Sequence, residues 1–183
     1  MKFGSDVQTG ASQKVLEMIN VANEGYTQGY GDDEWTKQAV DELRNVFECD
    51  LEAYFVSTGT ASNSLALSCM VQPWETILCH KYAHILVDES TAPEHFSGGA
   101  RMIPISPGAE KVTIKHLENY FRIAGSELPH NPQARALSIT QATESGLVYT
   151  QAEIAALSAI SKANGLRMHI DGARFANALA SLE

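Results

Sequence analysis

Three groups of polar residues in this 183-residue chain have types and spacings that could carry chemistry. A hydroxyl-rich turn occupies residues 57–63 (STGTASN), two histidines follow at His80 and His84, and Asp171 and Arg174 stand near the end of the chain. Hydroxyls and N–H groups at the start of a helix can bind an anion. An imidazole can move a proton, and a carboxylate beside a guanidinium can bind groups of both charges.

The hydroxyl-rich turn follows an apolar segment and leads into a helical pattern. Gly59 would let the backbone approach a bound phosphate, and Thr60 adds a hydroxyl. The segment matches neither a Walker A loop nor the G-x-G-x-x-G pattern. An ordinary helix cap built from small residues is the alternative, and the local sequence leaves both interpretations open.

The other two groups also allow more than one interpretation. His80, His84 and Asp88 could hold a metal ion, although no His-Glu-x-x-His pattern is present, or the histidines could simply lie on the surface. Asp171 directly follows an apolar segment, so it could cap the next helix or pair with a cationic ring nitrogen. Arg174 could bind a carboxylate through two hydrogen bonds.

Short apolar segments alternate with helical stripes, which predicts an α/β fold with a parallel sheet covered on both faces. Ligands of such sheets bind beyond the carboxyl ends of the strands, so the three polar groups should meet at one edge. Helix caps are predicted at Thr36 and Thr113, with a capping box at Thr150 and Glu153. The predicted strands are 53–56, 76–79, 101–105, 136–140 and 168–170, and the predicted helices are 12–23, 36–48, 61–71, part of 84–95, one around 114–121, one over 150–164 and one from residue 175 onward.

Composition narrows the class of protein. Apolar residues make up 44% of the chain and charged residues 19%, which is typical of a soluble globular domain. The net charge of −9 disfavours general binding to nucleic acid or to anionic lipid. The start of the chain has no signal-peptide pattern, and the cysteines have wide spacings and apolar neighbours. We therefore expect buried, reduced thiols in a cytoplasmic protein; these cysteines are Cys49, Cys69 and Cys79.

Taken together, the three groups fit the needs of pyridoxal phosphate. The phosphate requires N–H donors at a helix start, the ring face requires a flat partner, and the ring nitrogen requires a carboxylate. An amino-acid substrate adds a carboxylate that an arginine can bind. A nearby anion such as Asp171 would keep the ring nitrogen protonated, and a protonated ring can accept the electron pair from a broken bond at the substrate Cα.

The chain resembles the N-terminal half of the low-specificity L-threonine aldolases, in the β-eliminating lyase group of fold-type-I pyridoxal phosphate enzymes. The most specific matching segment is residues 169–174 (HIDGAR), and the resemblance covers essentially the whole chain. It is also carried by residues 5–6 (SD), 30–33 (YGDD), 55–60 (FVSTGT) and 83–84 (AH).

This resemblance implies a role for each candidate residue. Gly59 and Thr60 would hold the cofactor phosphate, His84 would stack on the ring, and Asp171 would pair with the ring nitrogen. Arg174, helped by Ser5, would bind the substrate carboxylate. The implied cofactor and substrate set is therefore Ser5, Gly59, Thr60, His84, Asp171 and Arg174.

The implied reaction cleaves threonine, allo-threonine or a related β-hydroxy amino acid into glycine and an aldehyde. His84, directly or through water, is the candidate for moving the hydroxyl proton. The resemblance also implies a cytoplasmic homo-oligomer, a dimer or tetramer, whose sites use two subunits through the loop at 30–33. No metal, nucleic-acid partner or membrane is expected.

The sequence departs from the family pattern in two ways. A histidine of better-known aldolases is replaced by Thr143, which leaves the second acid/base open. The family's Schiff-base lysine lies beyond residue 183, and Lys81 is the only lysine near the predicted site. We therefore expect an N-terminal arm over residues 1–50 and a partial cofactor domain over 51–183. This domain would lack its last strands and the C-terminal small domain, with a gap at the middle of the sheet.

Three functional hypotheses follow from these expectations. The first is a threonine aldolase whose N-terminal part is inactive when isolated. The second is another fold-type-I lyase, such as a β-eliminating lyase or decarboxylase. The third is a truncated, non-catalytic remnant that binds a ligand or a partner subunit.

Overall fold

A computed structural model describes residues 8–124 and 130–183 of the chain. These residues fall into two compact units, one that ends at Phe55 and one that runs from Val56 to Glu183. The candidate residue Ser5 lies outside the described residues. No described helix has the length and apolar character needed to cross a membrane.

The first unit contains two helices, α1 (Gln13–Ala22) and α2 (Glu34–Phe47). The predicted cap of α2 at Thr36 is wrong, since Asp33 is the N-cap and its Oδ1 accepts a hydrogen bond from the Thr36 N–H at 2.8 Å. A carboxylate at this position also suits the positive end of the helix dipole. The hydrogen bonds from Thr36 hold the pKa of Asp33 below its ordinary value.

The second unit alternates strands and helices, as the apolar pattern predicted. Its helices and strands, in chain order, are α3 (Gly59–Ser68), β1 (Thr76–Cys79), α4 (His84–Val87), α5 (Ala92–Phe96), β2 (Arg101–Pro104), α6 (Ile114–Ala124), β3 (Ala134–Thr140), α7 (Gln151–Ala163), β4 (Arg167–Asp171) and α8 (Phe175–Leu182). The predicted capping box at the start of α7 is confirmed, with both reciprocal bonds present between Thr150 and Glu153.

The four strands form one parallel sheet in the order β2-β1-β3-β4. The α/β prediction is therefore confirmed. Strand β1 is buried along its whole length, as expected for a strand with helices on both faces. In the last pair, Thr140 of β3 stands opposite Asp171 of β4, so these strands end together.

The first predicted strand, over residues 53–56, is not a strand. Tyr54 is 83% exposed and Phe55 is 65% exposed, and no described segment forms a ladder with them. A β-prone segment becomes a strand only when a neighbour accepts its backbone hydrogen bonds. The described sheet therefore has four strands where the apolar pattern predicted five.

Two apolar clusters cover the two faces of the sheet. Successive residues of β1 point to opposite faces, so Ile77 and Leu78 belong to different clusters. One cluster joins β1 and β3 to the helices that follow, through Leu78, Val112, Leu117, Leu137, Ile139, Tyr149 and Leu157. The other joins the opposite face to α3 and α4, through Leu67, Val71, Ile77, Cys79, Ile85 and Ala136.

The expectation of three buried thiols is confirmed for Cys79 and wrong for the other two. Cys79 lies within β1, and burial raises the pKa of its thiol to about 12, so it stays protonated near neutral pH. Cys49 and Cys69 are exposed. Each lies at or just after the end of a helix, which the apolar neighbours did not reveal.

Candidate active site

Asp171 is the last residue of β4 and stands at the carboxyl edge of the sheet. Its Oδ1 accepts a hydrogen bond from the Ala173 N–H at 3.0 Å, and its Oδ2 accepts one from Asn63 Nδ2 at 3.0 Å. Its main-chain oxygen accepts from the Gln141 N–H at 2.9 Å, which fixes β4 to the end of β3. Both carboxylate oxygens are thus oriented by defined donors.

The sequence left open that Asp171 caps the next helix, and the structure supports this only in part. Helix α8 begins at Phe175, and its N-cap is Arg174, which makes no side-chain cap bond. Asp171 stabilises the turn through Ala173 instead, and its second oxygen faces α3. The carboxylate therefore has a structural bond on one oxygen and a long-range bond on the other.

Helix α3 begins at Gly59, beyond the N-cap Thr58. Thr58 Oγ1 accepts from the Ala61 N–H at 3.0 Å, which leaves the N–H groups of Gly59 and Thr60 without a hydrogen-bond partner among the described residues. A Cβ atom at Gly59 would meet nothing within 4 Å, so the space in front of this helix end is open. A cleft of about 270 Å³ lies beside it, lined by Thr58, Thr60, Ala61, Ser64, Leu65 and Phe96.

His84 is the first residue of α4 and its side chain is 48% exposed. Its Nδ1 lies 2.8 Å from Glu89 Oε1, and its main-chain N–H donates to Glu144 Oε1 at 2.9 Å. The hydrogen bond to Glu89 raises the pKa of His84 above its ordinary value, with smaller contributions from the charges of Glu89, Asp88 and Asp171, while partial burial opposes the shift.

Asn63 and Glu89 connect the two predicted functional residues. Asn63 Nδ2 donates to Glu89 Oε1 at 2.7 Å and to Asp171 Oδ2 at 3.0 Å, and Glu89 Oε1 also meets His84. A continuous set of hydrogen bonds therefore joins His84 to Asp171. Both linking residues are buried, at 6% exposure for Asn63 and 4% for Glu89.

The sequence pattern indicates no individual role for Asn63 or for Glu89. The sequence feature that could point to Asn63 is its place in the first turns of a helix whose other residues are small or apolar. Glu89 follows Asp88 in a polar segment, and nothing in the local pattern distinguishes the buried carboxylate from the exposed one. Burial of a charged side chain is decided by its partners, and these lie on other elements.

The loop after β3 contains Thr143, which the resemblance places where better-known aldolases carry a histidine, and the carboxylate of Glu144 beside it. Thr143 is 7% exposed, and its Oγ1 accepts from the Leu147 N–H at 3.1 Å, so the hydroxyl stabilises its own loop. Glu144 instead reaches outward, and its Oε1 accepts from Thr140 Oγ1 at 2.8 Å as well as from His84. Glu144 is therefore the loop residue that contacts the site.

His80 has no role in a metal site. Its Nε2 lies 2.8 Å from the main-chain oxygen of Ala109, and its Nδ1 accepts from the Tyr82 N–H at 3.2 Å. Both ring nitrogens are thus used by the backbone, and His80 is 5% exposed. Over residues 8–124 and 130–183, no group of three or more His, Cys, Asp or Glu residues could hold a metal ion.

The remaining candidates are placed as follows. Arg174 is exposed and comes three residues after Asp171, at the start of α8. The Lys81 Nζ lies 4.5 Å from the centre of the Tyr82 ring. The structure thus brings together α3, His84 and Asp171 at the carboxyl edge of the sheet, where carboxylates outnumber cationic groups among the hydrogen-bonded residues. Such an edge favours a protonated ring nitrogen.

Similarity to known proteins identifies the family of this chain. The family model for beta-eliminating lyases matches residues 2–183. The chain is 40% identical over 181 residues to a low specificity L-threonine aldolase from a Pseudomonas strain, covering 99% of this chain and 52% of that protein. It is 30% identical over 128 residues to the low specificity L-threonine aldolase of Saccharomyces cerevisiae, covering 69% of this chain and 32% of that protein.

A solved structure has a similar backbone. The threonine aldolase of Leishmania major superimposes with a TM-score of 0.85 at 29% identity, over 94% of this chain and 50% of that chain. The chain thus spans about half the length of relatives whose sequence and fold it shares. From the family match over nearly all of its residues, the chain belongs to the beta-eliminating lyase family.

Proposed function

We propose that this chain is part of a pyridoxal phosphate-dependent lyase of the threonine aldolase type, which cleaves threonine, allo-threonine or related β-hydroxy amino acids into glycine and an aldehyde. The observation that carries the proposal is the hydrogen-bonded connection from Asp171 through α3 to His84 at one edge of the sheet. The names of relatives such as the Pseudomonas enzyme support the substrate class.

The residues at this edge fit the cofactor. Asp171 presents a carboxylate that both Asn63 and Ala173 orient, as a protonated ring nitrogen requires. Unpaired N–H groups and open space at Gly59 suit a phosphate. When bound, pyridoxal phosphate supplies a ring that stores the electron pair left when the Cα–Cβ bond of the substrate breaks.

The protein residues would divide the remaining work. Asp171 would keep the proton on the ring nitrogen, and Gly59 and Thr60 would anchor the phosphate through the start of α3. Arg174, with Ser5, would bind the substrate carboxylate and so fix the orientation of the bond that breaks. His84 would accept the proton of the substrate hydroxyl, directly or through water.

The test is an assay of threonine cleavage by the protein expressed at the full length of its gene, with acetaldehyde and glycine as the measured products. We expect Asp171→Asn to lower kcat/KM by about 100-fold and His84→Phe by about 100-fold or more, because each removes a charge or proton-transfer group from the site. Asp88→Asn is the matched control, since Asp88 is an exposed carboxylate beside Glu89.

One result would reject the proposed role of Asp171, and another would reject the function itself. Wild-type levels of cleavage by Asp171→Asn would show that this carboxylate does not serve the cofactor. Formation of pyruvate and ammonia from an amino acid with a β-leaving group, without cleavage of threonine, would instead identify a β-eliminating activity on the same fold.

We propose further that the protein assembles as a homo-oligomer in the cytoplasm. Helix α1 supports the assembly, because none of its residues is buried and its apolar side chains are about half exposed. These side chains are Val15, Leu16, Met18, Ile19 and Val21. Light scattering after size exclusion tests it. We expect Ile19→Glu to lower the mass of the assembly, whereas Lys14→Glu on the same helix should leave it unchanged.

A further inference from the structure

Glu89 is a buried carboxylate to which the proposed reaction gives no task. Its side chain has 0% exposure, while the His84 side chain beside it is 48% exposed. Oε1 accepts from both Asn63 and His84, and Oε2 has no hydrogen-bond partner. A charged group is kept in such a place only when its partners compensate for lost hydration, so its contact with His84 calls for a physical explanation.

The contact has a consequence for the imidazole. A carboxylate oxygen 2.8 Å from Nδ1 requires a proton on Nδ1, because two acceptors at that distance would repel. The neutral ring then carries no proton on Nε2, and this atom has no hydrogen-bond partner among the described residues. With half of the side chain exposed, Nε2 is available as a base.

Glu89 is itself held in place from two directions. Asn63 donates to the same Oε1 at 2.7 Å and ties it to α3. The next two residues, Ser90 and Thr91, have φ values of 47° and 64°, in the left-handed region that non-glycine residues rarely adopt. These residues turn the chain sharply after Glu89, and such strain persists only where the surrounding contacts enforce it.

We propose that Glu89 is a positioning residue, which holds His84 in the Nδ1–H tautomer so that Nε2 is the atom that accepts the substrate proton. The assignment of a proton-accepting role to His84 rests on the proposed function, whereas the tautomer and its dependence on Glu89 do not. The arrangement matches the general pattern in which a carboxylate at one ring nitrogen orients the imidazole and sets which nitrogen reacts.

The other charged groups near His84 have weaker claims to this role. Asp88 is exposed and acts on the ring through its charge alone. Asp171 makes no hydrogen bond to the ring; it acts through its charge and is linked to the ring through Asn63 and Glu89. Glu144 contacts the main-chain N–H of His84, so it positions the backbone and makes no bond to the ring.

The tautomer can be measured directly in the 183-residue chain by long-range ¹H–¹⁵N NMR of labelled histidine, with the His84 signals assigned from a His84→Gln spectrum. Above the pKa of His84 we expect the Nδ1–H form. Glu89→Gln should lower the pKa of His84 and add the Nε2–H form, because the negative charge that holds the Nδ1 proton is gone. Asp88→Asn is the matched control and should shift the pKa less.

Two outcomes would overturn the proposal. One is an Nε2–H tautomer in the wild-type chain, a result that needs no variant and so remains decisive even where Glu89→Gln fails to fold. The other is a shift from Glu89→Gln no larger than that from Asp88→Asn.

The full-length protein provides a second readout that a purely structural residue would not move. If His84 is the base, kcat/KM falls at acidic pH as His84 takes up a proton, and Glu89→Gln should move this fall to lower pH. An Nδ1–H tautomer in a protein without aldolase activity would uphold the positioning role and reject the function. If Glu89→Gln is active and its kcat/KM falls at the same acidic pH as in the wild type, the function is upheld and the positioning role is rejected.

Discussion

The side-chain amide of Asn63 donates a hydrogen bond to Asp171, 108 residues further along the chain, at 3.0 Å. The same nitrogen donates to Glu89 at 2.7 Å, so one amide group donates to two carboxylates. Without those two N–H donors, the neighbouring negative charges would repel each other in a poorly hydrated environment. Asn63 therefore joins α3 to the carboxyl edge of the sheet.

Replacement of Asn63 should be costly. Asn63→Leu keeps the approximate volume but removes both hydrogen bonds to charged partners. We expect a loss of about 2–3 kcal/mol in the free energy of unfolding, measured by urea denaturation, because hydrogen bonds to charged groups contribute more than neutral ones.

Ser64→Ala is the matched control for that variant. Ser64 is the next residue of α3 and is 1% exposed, and its hydroxyl has no hydrogen-bond partner. Its removal should leave stability unchanged or slightly higher. Equal urea midpoints for the Asn63 and Ser64 variants would contradict the linking role of Asn63.

His169 should make the fold sensitive to acid. It is 7% exposed in β4, its Nδ1 lies 2.9 Å from Ser138 Oγ, and burial lowers its pKa, although the charges of Asp171 and Glu89 oppose the shift. Below a pH of about 6.5, His169 is protonated in the unfolded chain but stays neutral in the folded chain. The free energy of unfolding therefore falls with falling pH, by up to about 1.4 kcal/mol per pH unit.

His84 contributes with the opposite sign. Its pKa is raised, so its contribution is present below the unfolded pKa and is lost as pH rises through the folded value. Urea midpoints of wild type and His169→Asn between pH 5 and pH 8 separate the two residues. The variant should lose less stability in acid than the wild type, and parallel curves would rule out His169 as the acid-sensitive group.

Thr91 should be improved by glycine. It has a φ of 64°, is exposed, and makes no side-chain cap bond to α5. Thr91→Gly should raise the free energy of unfolding by up to about 1 kcal/mol, because glycine adopts this conformation without strain and the variant removes no cap hydrogen bond. A thermal melt measures the change. The pKa of His84 should stay as in the wild type, which separates relief of strain from disruption of Glu89.

Glu144 should hold the loop after β3 against α4. Its Oε1 accepts from both the His84 N–H and Thr140 Oγ1. Glu144→Ala should cost about 1 kcal/mol in urea denaturation, whereas Glu144→Gln keeps an acceptor oxygen and should recover most of that loss. Equal losses in the two variants would mean that the charge of Glu144 matters and its hydrogen bonds do not.

The sheet could be predicted from local patterns because its strands carry their own signal. Residues 76–79 (TILC) are mostly apolar and become the buried strand β1, and the Thr150 and Glu153 pair marks the start of α7. The failure at residues 53–56 has the opposite origin. That segment also contains β-prone residues, but a strand needs a partner as well, and the sequence of the segment says nothing about one.

The same distinction between local sequence and distant partners applies to the candidate site. The amino-acid sequence by itself determined the alternation of helices and strands, and with it the edge at which Gly59, His84 and Asp171 would meet. Only the tertiary structure decided that Asn63 and Glu89 join them and that Thr143 turns into its own loop. The physical reason is that periodicity encodes which face of an element is apolar, whereas the burial and pairing of a polar side chain depend on donors supplied by distant elements.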